Sequence, residues 1–182
     1  MLADKFSISR TSINTIIQRA LRSGEIVRLK RGLYVHKRFF AANANSLEYK
    51  FFIANLLLSL SYISRETALQ YYGLLSEASL NYYTSTTLKL PRRFTNKLGI
   101  FEYRNINQDL YNGYKPHRFS LNKRELTYLM AEPYKAIFDY LYYRIGLRKL
   151  SEDQLFDILD EFRLNYNELS YEQLNKLIKC FK

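Results

Sequence analysis

Residues 23–35 read SGEIVRLKRGLYV, and four basic side chains crowd them: Arg28, Lys30 and Arg31 sit around Gly32, with Lys37 just beyond. Two short apolar strands joined at a glycine need charge for solubility, but not this much of one sign at the tip. Guanidinium and ammonium groups gathered this way suit an anion, and the arginine fork suits a phosphate in particular. Just upstream, TSINTIIQRALRS (11–23) supplies Thr11, Ser12, Asn14, Thr15, Gln18, Arg19 and Arg22. Those side chains are the ones that contact base edges or phosphates. The chemistry on offer is recognition of a polyanion. The alternative for the hairpin is a solvated pair that only closes a small domain.

Bond-making chemistry has no matching constellation. The two histidines, His36 and His117, have neither HExxH nor HxH spacing. The chain carries no Walker A loop, no GxGxxG and no GxSxG. A nucleotidyltransferase would show a Gly-Ser turn followed by closely spaced aspartates, which this sequence lacks. Asp153, Asp157 and Asp160 read as a solvated helix face rather than a metal site. Cys180 is the one cysteine, so neither an internal disulfide nor a cysteine zinc site is expected. No enzyme, metal or cofactor follows from these residues. The 17 tyrosines include the pairs Tyr71-Tyr72, Tyr82-Tyr83 and Tyr142-Tyr143. They either stack on bases or form half-buried core, and core is the stronger reading.

The elements that must position the basic residues follow from periodicity. Ile13, Ile16, Ile17, Ala20 and Leu21 recur at helical spacing, with the polar residues on other faces. Ser9 or Thr11 caps the start, and Gly24 follows the end. Ahead lies a short segment, Leu2 to Phe6, then a turn. Glu25 to Leu29 and Leu33 to His36 read as strands joined through Lys30, Arg31 and Gly32. Helix, turn, helix and basic hairpin is the plan of a winged helix-turn-helix whose first helix is short or missing. Its second helix enters the major groove, and its hairpin tip lies along the phosphates.

Beyond it, FFAANANS (39–46) reads as a linker or interdomain junction. Helices are expected from Leu47 to Leu60 and from Ser64 to Tyr72, and strands at 79–90 and 99–106. Pro91-Arg92-Arg93 separates the strands, either as a solvated turn or as further phosphate contacts through Arg92 and Arg93. Pro116-His117-Arg118 is a loop or edge strand. A helix is expected over Tyr128 to Ile145, with Ala131-Glu132-Pro133 at its start. Ser151-Glu-Asp-Gln and Ser170-Tyr-Glu-Gln have capping-box spacing and open two tail helices. These either pack on the body or stand as a solvated pair.

Composition agrees with a folded chain. It has 182 residues, 47% of them hydrophobic, and a net charge of +11. Residues 1–38 hold nine Lys/Arg against two Asp/Glu, whereas residues 151–182 hold four against seven. A dense basic block at one end fits a polyanion partner. No run of about 18 apolar residues suggests a membrane span, and the start has no signal-peptide core, so a cytoplasmic protein is expected. The expected fold is α+β: a winged helix-turn-helix (1–38), a mixed α/β second domain (39–150) and an acidic helical tail (151–182).

Three stretches, in order, resemble the AbiEi-type antitoxins, the regulator half of type IV abortive-infection toxin–antitoxin systems. Ser23-Gly-Glu-Ile-Val-Arg-Leu-Lys-Arg-Gly-Leu-Tyr-Val35 is similar to the family's G-x-I-x-R-L-x-R-G-x-Y wing. Tyr62-Ile-Ser-Arg-Glu-Thr-Ala-Leu-Gln-Tyr-Tyr-Gly-Leu74 is similar to its Y-I-S-x-x-S-A-L-x-x-x-G-L helix. Met130-Ala-Glu-Pro-Tyr-Lys-Ala-Ile-Phe-Asp-Tyr-Leu-Tyr142 is similar to its A-x-P-E-K-A-L-x-D-x-x-Y helix, with Tyr134 where the family has Glu. The resemblance implies a repressor that binds its own promoter as double-stranded DNA. It implies a second domain that carries antitoxic activity and supports cooperative binding to repeated sites. It also implies a neighbouring nucleotidyltransferase-like toxin that the antitoxin need not touch.

The function expected is therefore a DNA-binding transcriptional repressor and antitoxin. Thr11, Ser12, Asn14, Thr15, Gln18, Arg19 and Arg22 would face the groove, and Arg28, Lys30 and Arg31 would hold phosphates. The alternative is a protein-interaction module whose basic surface takes an acidic partner such as the toxin.

Overall fold

A computed structural model describes residues 9–76 and 80–182. The segment expected at Leu2–Phe6 and the first residue of the strand expected from Ser79 lie outside them. Helix α1 spans Arg10–Arg22, and Ser9 is its cap: the Ser9 hydroxyl accepts the Ser12 N–H at 3.1 Å. The chain then turns at Gly24 into an antiparallel hairpin of β1 (Ile26–Lys30) and β2 (Leu33–His36). A register shift falls between Arg28 and Lys30, and Gly32 takes φ +81 in the turn, which a side chain would resist.

Within 39–46, read as a linker or interdomain junction, residues 39–43 are helical. Helix α2 runs from Lys37 to Asn43, with the His36 ring nitrogen capping Arg38 N–H. Phe39 meets Tyr49 edge-on at 5.9 Å, and the Asn43 amide donates to Phe39 O. Ala41 and Ala42 are the helix's exposed side, Phe39 and Phe40 are half-buried, and residues 44–46 make the short turn into the next helix. Helix α3 follows (Leu47–Leu57), stopping three residues before the expected Leu60.

A strand that the sequence did not suggest, β3 (Ser61–Ile63), comes before helix α4 (Arg65–Tyr71). Strand β4 (Tyr82–Thr87) is the core of the expected 79–90 strand. Arg92 and Arg93, placed between strands by the sequence, lie within β5 (Arg92–Asn96), paired along its length with β6 (Gly99–Asn105). Pro116-His117-Arg118 belongs to the edge strand β7 (Tyr114–Leu121). Proline is tolerated there because an edge strand leaves backbone groups unpaired. The helix expected from Tyr128 begins later: Arg124–Ala131 is strand β8, and helix α5 covers Pro133–Ile145 with proline in its first turn. The six strands form one mixed sheet in the order β5-β6-β4-β3-β8-β7.

Alternation along the strands sorts the two faces. On one face Tyr83 stacks on Phe101, Phe51 of α3 meets Tyr83 and Tyr128, and the Tyr103 hydroxyl donates to Ala54 O. On the other, Tyr62, Thr84 and Thr86 face α4 and α5 through hydroxyls. Six of the tyrosines are among the buried core residues. Helices α6 (Glu152–Glu161) and α7 (Tyr171–Phe181) pack on the α5 side through Leu155, Leu159, Leu177 and Phe181, all buried. The Ser151 capping box is complete, and Phe181 lies 5.5 Å from Phe138. Asp153, Asp157 and Asp160 are exposed. No helix among the described residues is long and apolar enough to cross a membrane.

The α4/α5 layer hides a charge. Asp139 is fully buried, with Lys135 one turn before it at 2.8 Å. Its Oδ2 accepts hydrogen bonds from Tyr62 (2.9 Å), Ser64 (2.6 Å) and Thr86 (3.1 Å), and Lys135 also donates to Leu110 O. Beside it, Arg65, buried and held at φ +56, pairs with Glu102 at 3.0 Å. Burial opposes charge on Glu102, but hydrogen bonds from Tyr82 and Arg65, with the charges of Arg65 and Arg104, hold its pKa below the ordinary carboxylate range.

Removing one member of such a pair strands the other without water. Asp139→Ala should cost about 3–5 kcal/mol, read as a lower urea midpoint. A loss under about 1 kcal/mol would mean that the pair does not hold the layers together.

Candidate nucleic-acid interface

The outward stripe of α1 is set by its period. Thr11, Ser12, Asn14, Thr15, Gln18, Arg19 and Arg22 are all exposed. Ser12 and Thr15 spend hydroxyl bonds locally, on the Ser9 hydroxyl and Thr11 O. No hydrogen bond or ion pair links the side chains of Asn14, Gln18, Arg19 or Arg22 to any described residue. The opposite stripe is less enclosed than its pattern suggests: Ile13, Ile17, Ala20 and Leu21 are half-buried, and Ile16 remains 56% exposed.

The hairpin divides its cations. Val27 and Leu29 point inward and are buried, so Arg28 between them points out and is exposed. Arg31 is exposed in the turn. Lys30 is placed differently from the sequence expectation. Its ammonium donates to the carbonyls of Leu57 (2.7 Å) and Leu56 (3.2 Å) at the end of α3, and lies over the Phe94 ring at 5.9 Å. The last carbonyls of a helix carry its partial negative charge and lack intrahelical partners. Lys30 therefore satisfies a helix end and ties the hairpin to the body. A second tie, Asn96 Nδ2 to Leu29 O at 3.2 Å, joins the hairpin to β5.

Arg92 and Arg93 are both exposed on β5. As neighbours on β5 they project to opposite faces. Arg92 lines an open groove with Lys30, Arg31 and Lys89, while Arg93 lies over the Tyr82 ring at 5.9 Å. Two groups of polar residues escaped sequence reasoning. One is the Lys135–Asp139 cluster, signalled by two opposite charges at i,i+4 spacing in an apolar helix and by the K and D of the resembled helix motif, though neither was singled out. The other is Lys97 in the β5–β6 turn, which lines a cleft with Arg28 and Lys37. Nothing local in the sequence marks Lys97, because its neighbours come from other parts of the chain.

The site thus presents one polar helix face with two free arginines on the following hairpin. No protein-family model and no curated protein matches this chain.

The two neighbouring cations of the hairpin turn should separate by experiment. Lys30→Met should lower the urea midpoint by about 1–2 kcal/mol of stability, because it strips carbonyls of a charged donor. Arg31→Ala, exposed and unpaired, should stay within about 0.5 kcal/mol of wild type. Equal effects would show that the Lys30 bond does not anchor the hairpin.

Proposed function

We propose that this protein is a DNA-binding transcriptional repressor and antitoxin of a type IV toxin–antitoxin operon, with a winged helix-turn-helix at residues 1–38. The reading is carried by one observation: a capped helix that exposes seven polar or cationic side chains runs directly into a hairpin bearing the exposed Arg28 and Arg31. In this reading α1 lies in the major groove. Asn14 and Gln18 read base edges, since a carboxamide pairs in two places with adenine. Arg19, Arg22, Arg28 and Arg31 neutralise phosphates. Lys30 has a supporting role, keeping the hairpin at a fixed angle to the sheet. The three-segment resemblance to the AbiEi-type antitoxins supports the promoter as the target and a nucleotidyltransferase-like toxin as the functional partner. Neutralisation would fall to the second domain, residues 39–150.

Fluorescence anisotropy against a duplex from the protein's own upstream region and a scrambled duplex tests the DNA step. Binding should be salt-sensitive and favour the upstream duplex. Asn14→Ala with Gln18→Ala should narrow that preference. Arg28→Ala with Arg31→Ala should weaken both duplexes alike and flatten the salt slope by about 2. Equal affinity of wild type for the two duplexes would end the repressor reading. The antitoxin step is tested separately by growth on co-expression with the neighbouring gene product, where failure to restore growth counts against it.

A further inference from the structure

We infer that the cleft between α1, the hairpin and the β5–β6 turn seats a backbone phosphate of bound DNA, so that the sheet body contributes Lys97 to the footprint. This rests on the DNA-binding reading above and extends it past residues 1–38, to a cation 59 positions beyond that segment.

The cleft has a volume of about 380 Å³. Three cations line it from three separate elements: Arg28 from β1, Lys37 from the first turn of α2, and Lys97 from the β5–β6 turn. No carboxylate lines it. All three residues are exposed, and none of their side chains has a hydrogen bond or ion pair to a described residue. Elsewhere the protein neutralises its inward cations: Lys135 with Asp139, Arg65 with Glu102, Arg144 with Glu66. Here like charges converge and stay uncompensated, which disfavours the arrangement until an anion arrives.

The remaining walls are apolar, from Leu21, Ile26 and Val27. Such walls lower the local dielectric and strengthen each charge's pull on a ligand. A phosphodiester matches this chemistry: one diffuse negative charge, taken up by ammonium and guanidinium donors. Position favours DNA over an acidic protein. Leu21 and Gly24 place the cleft directly off the last turn of α1, where Arg22 ends the exposed polar stripe. A backbone followed by that stripe meets the cleft next.

The test compares wild type with Lys97→Gln, with Lys37→Gln plus Lys97→Gln, and with Arg19→Gln plus Arg22→Gln. Anisotropy is read on the upstream and scrambled duplexes over a range of salt. Lys97→Gln should lower the slope of log affinity against log salt by about 0.9 and the double variant by about 2, equally on both duplexes. The urea midpoints should match wild type, since both lysines are exposed and unpaired. A wild-type slope in the double variant, with a reduced slope in the α1 variant, overturns the inference and leaves the DNA reading standing. If wild type binds neither duplex, the DNA reading itself fails and takes the inference with it. Unchanged DNA binding with lost retention on immobilised polyglutamate would also overturn it, assigning the cleft to an acidic protein.

Discussion

A buried carboxylate organises the sheet body. Asp139 sits on α5, but its hydrogen-bond donors come from β3 (Tyr62), the β3–α4 junction (Ser64) and β4 (Thr86). A charge without water is tolerated only where its partners are fixed in place. Satisfying Asp139 therefore sets the depth of α5 on the sheet, the register of β3 against β4, and the point where the chain turns into α4. In the polar run Thr84-Ser85-Thr86-Thr87, odd for a buried central strand, Thr86 serves Asp139 and Thr87 donates to Leu60 O. Thr84 exchanges bonds with Thr67 and donates to Ser64 O, so the hydroxyls stitch the helix layer to the strand. Glycine is demanded in the same region for space. Gly99 takes φ +136 against the Asn81 carbonyl, where any side chain would collide with backbone.

The hairpin depends on that body in turn. It is a two-stranded ribbon, and such ribbons are marginal alone. Its inward residues, Val27 and Leu29, are buried, and Lys30 and Asn96 tie its end to α3 and β5. These ties answer part of the puzzle posed by so much charge around one glycine. One of the cations is structural, matched to the negative end of a helix. Arg28 is held outward because Val27 and Leu29 beside it are held inward, and Arg31 is exposed in the turn. A surface that meets a polyanion gains from such rigidity, since less freedom is lost on binding.

The features legible in the sequence were local ones. Helix α1, its serine cap, the Gly32 turn and the Ser151 capping box are all signalled within a few residues, and each lies where its signal pointed. The exposed stripe Thr11 to Arg22 was legible for the same reason, because one helical period sorts it. Elements defined by distant partners were not. FFAANANS looks like a linker until Tyr49 is there to receive Phe39. Pro91-Arg92-Arg93 looks like a turn, and only pairing with β6 makes a strand of the residues after the proline. Tyr128 to Met130 runs without a break into a helical pattern, so pairing with β7 had to decide it. Lys30 is the sharpest case: its acceptors lie 26 and 27 residues away, and nothing beside it distinguishes it from Arg31.

Layering also sets the basic hairpin and the acidic tail against different helices of the body. Lys30 reaches α3 and Phe94, and Phe94 meets Tyr103 on the α3 face of the sheet, so the hairpin belongs to that face. The tail helices bury their apolar sides on α5, across the sheet. Asp153, Asp157 and Asp160 are exposed on the solvent side of the first tail helix. The tail's apolar side completes the core through Leu155, Leu159, Leu177 and Phe181, while its aspartates face solvent.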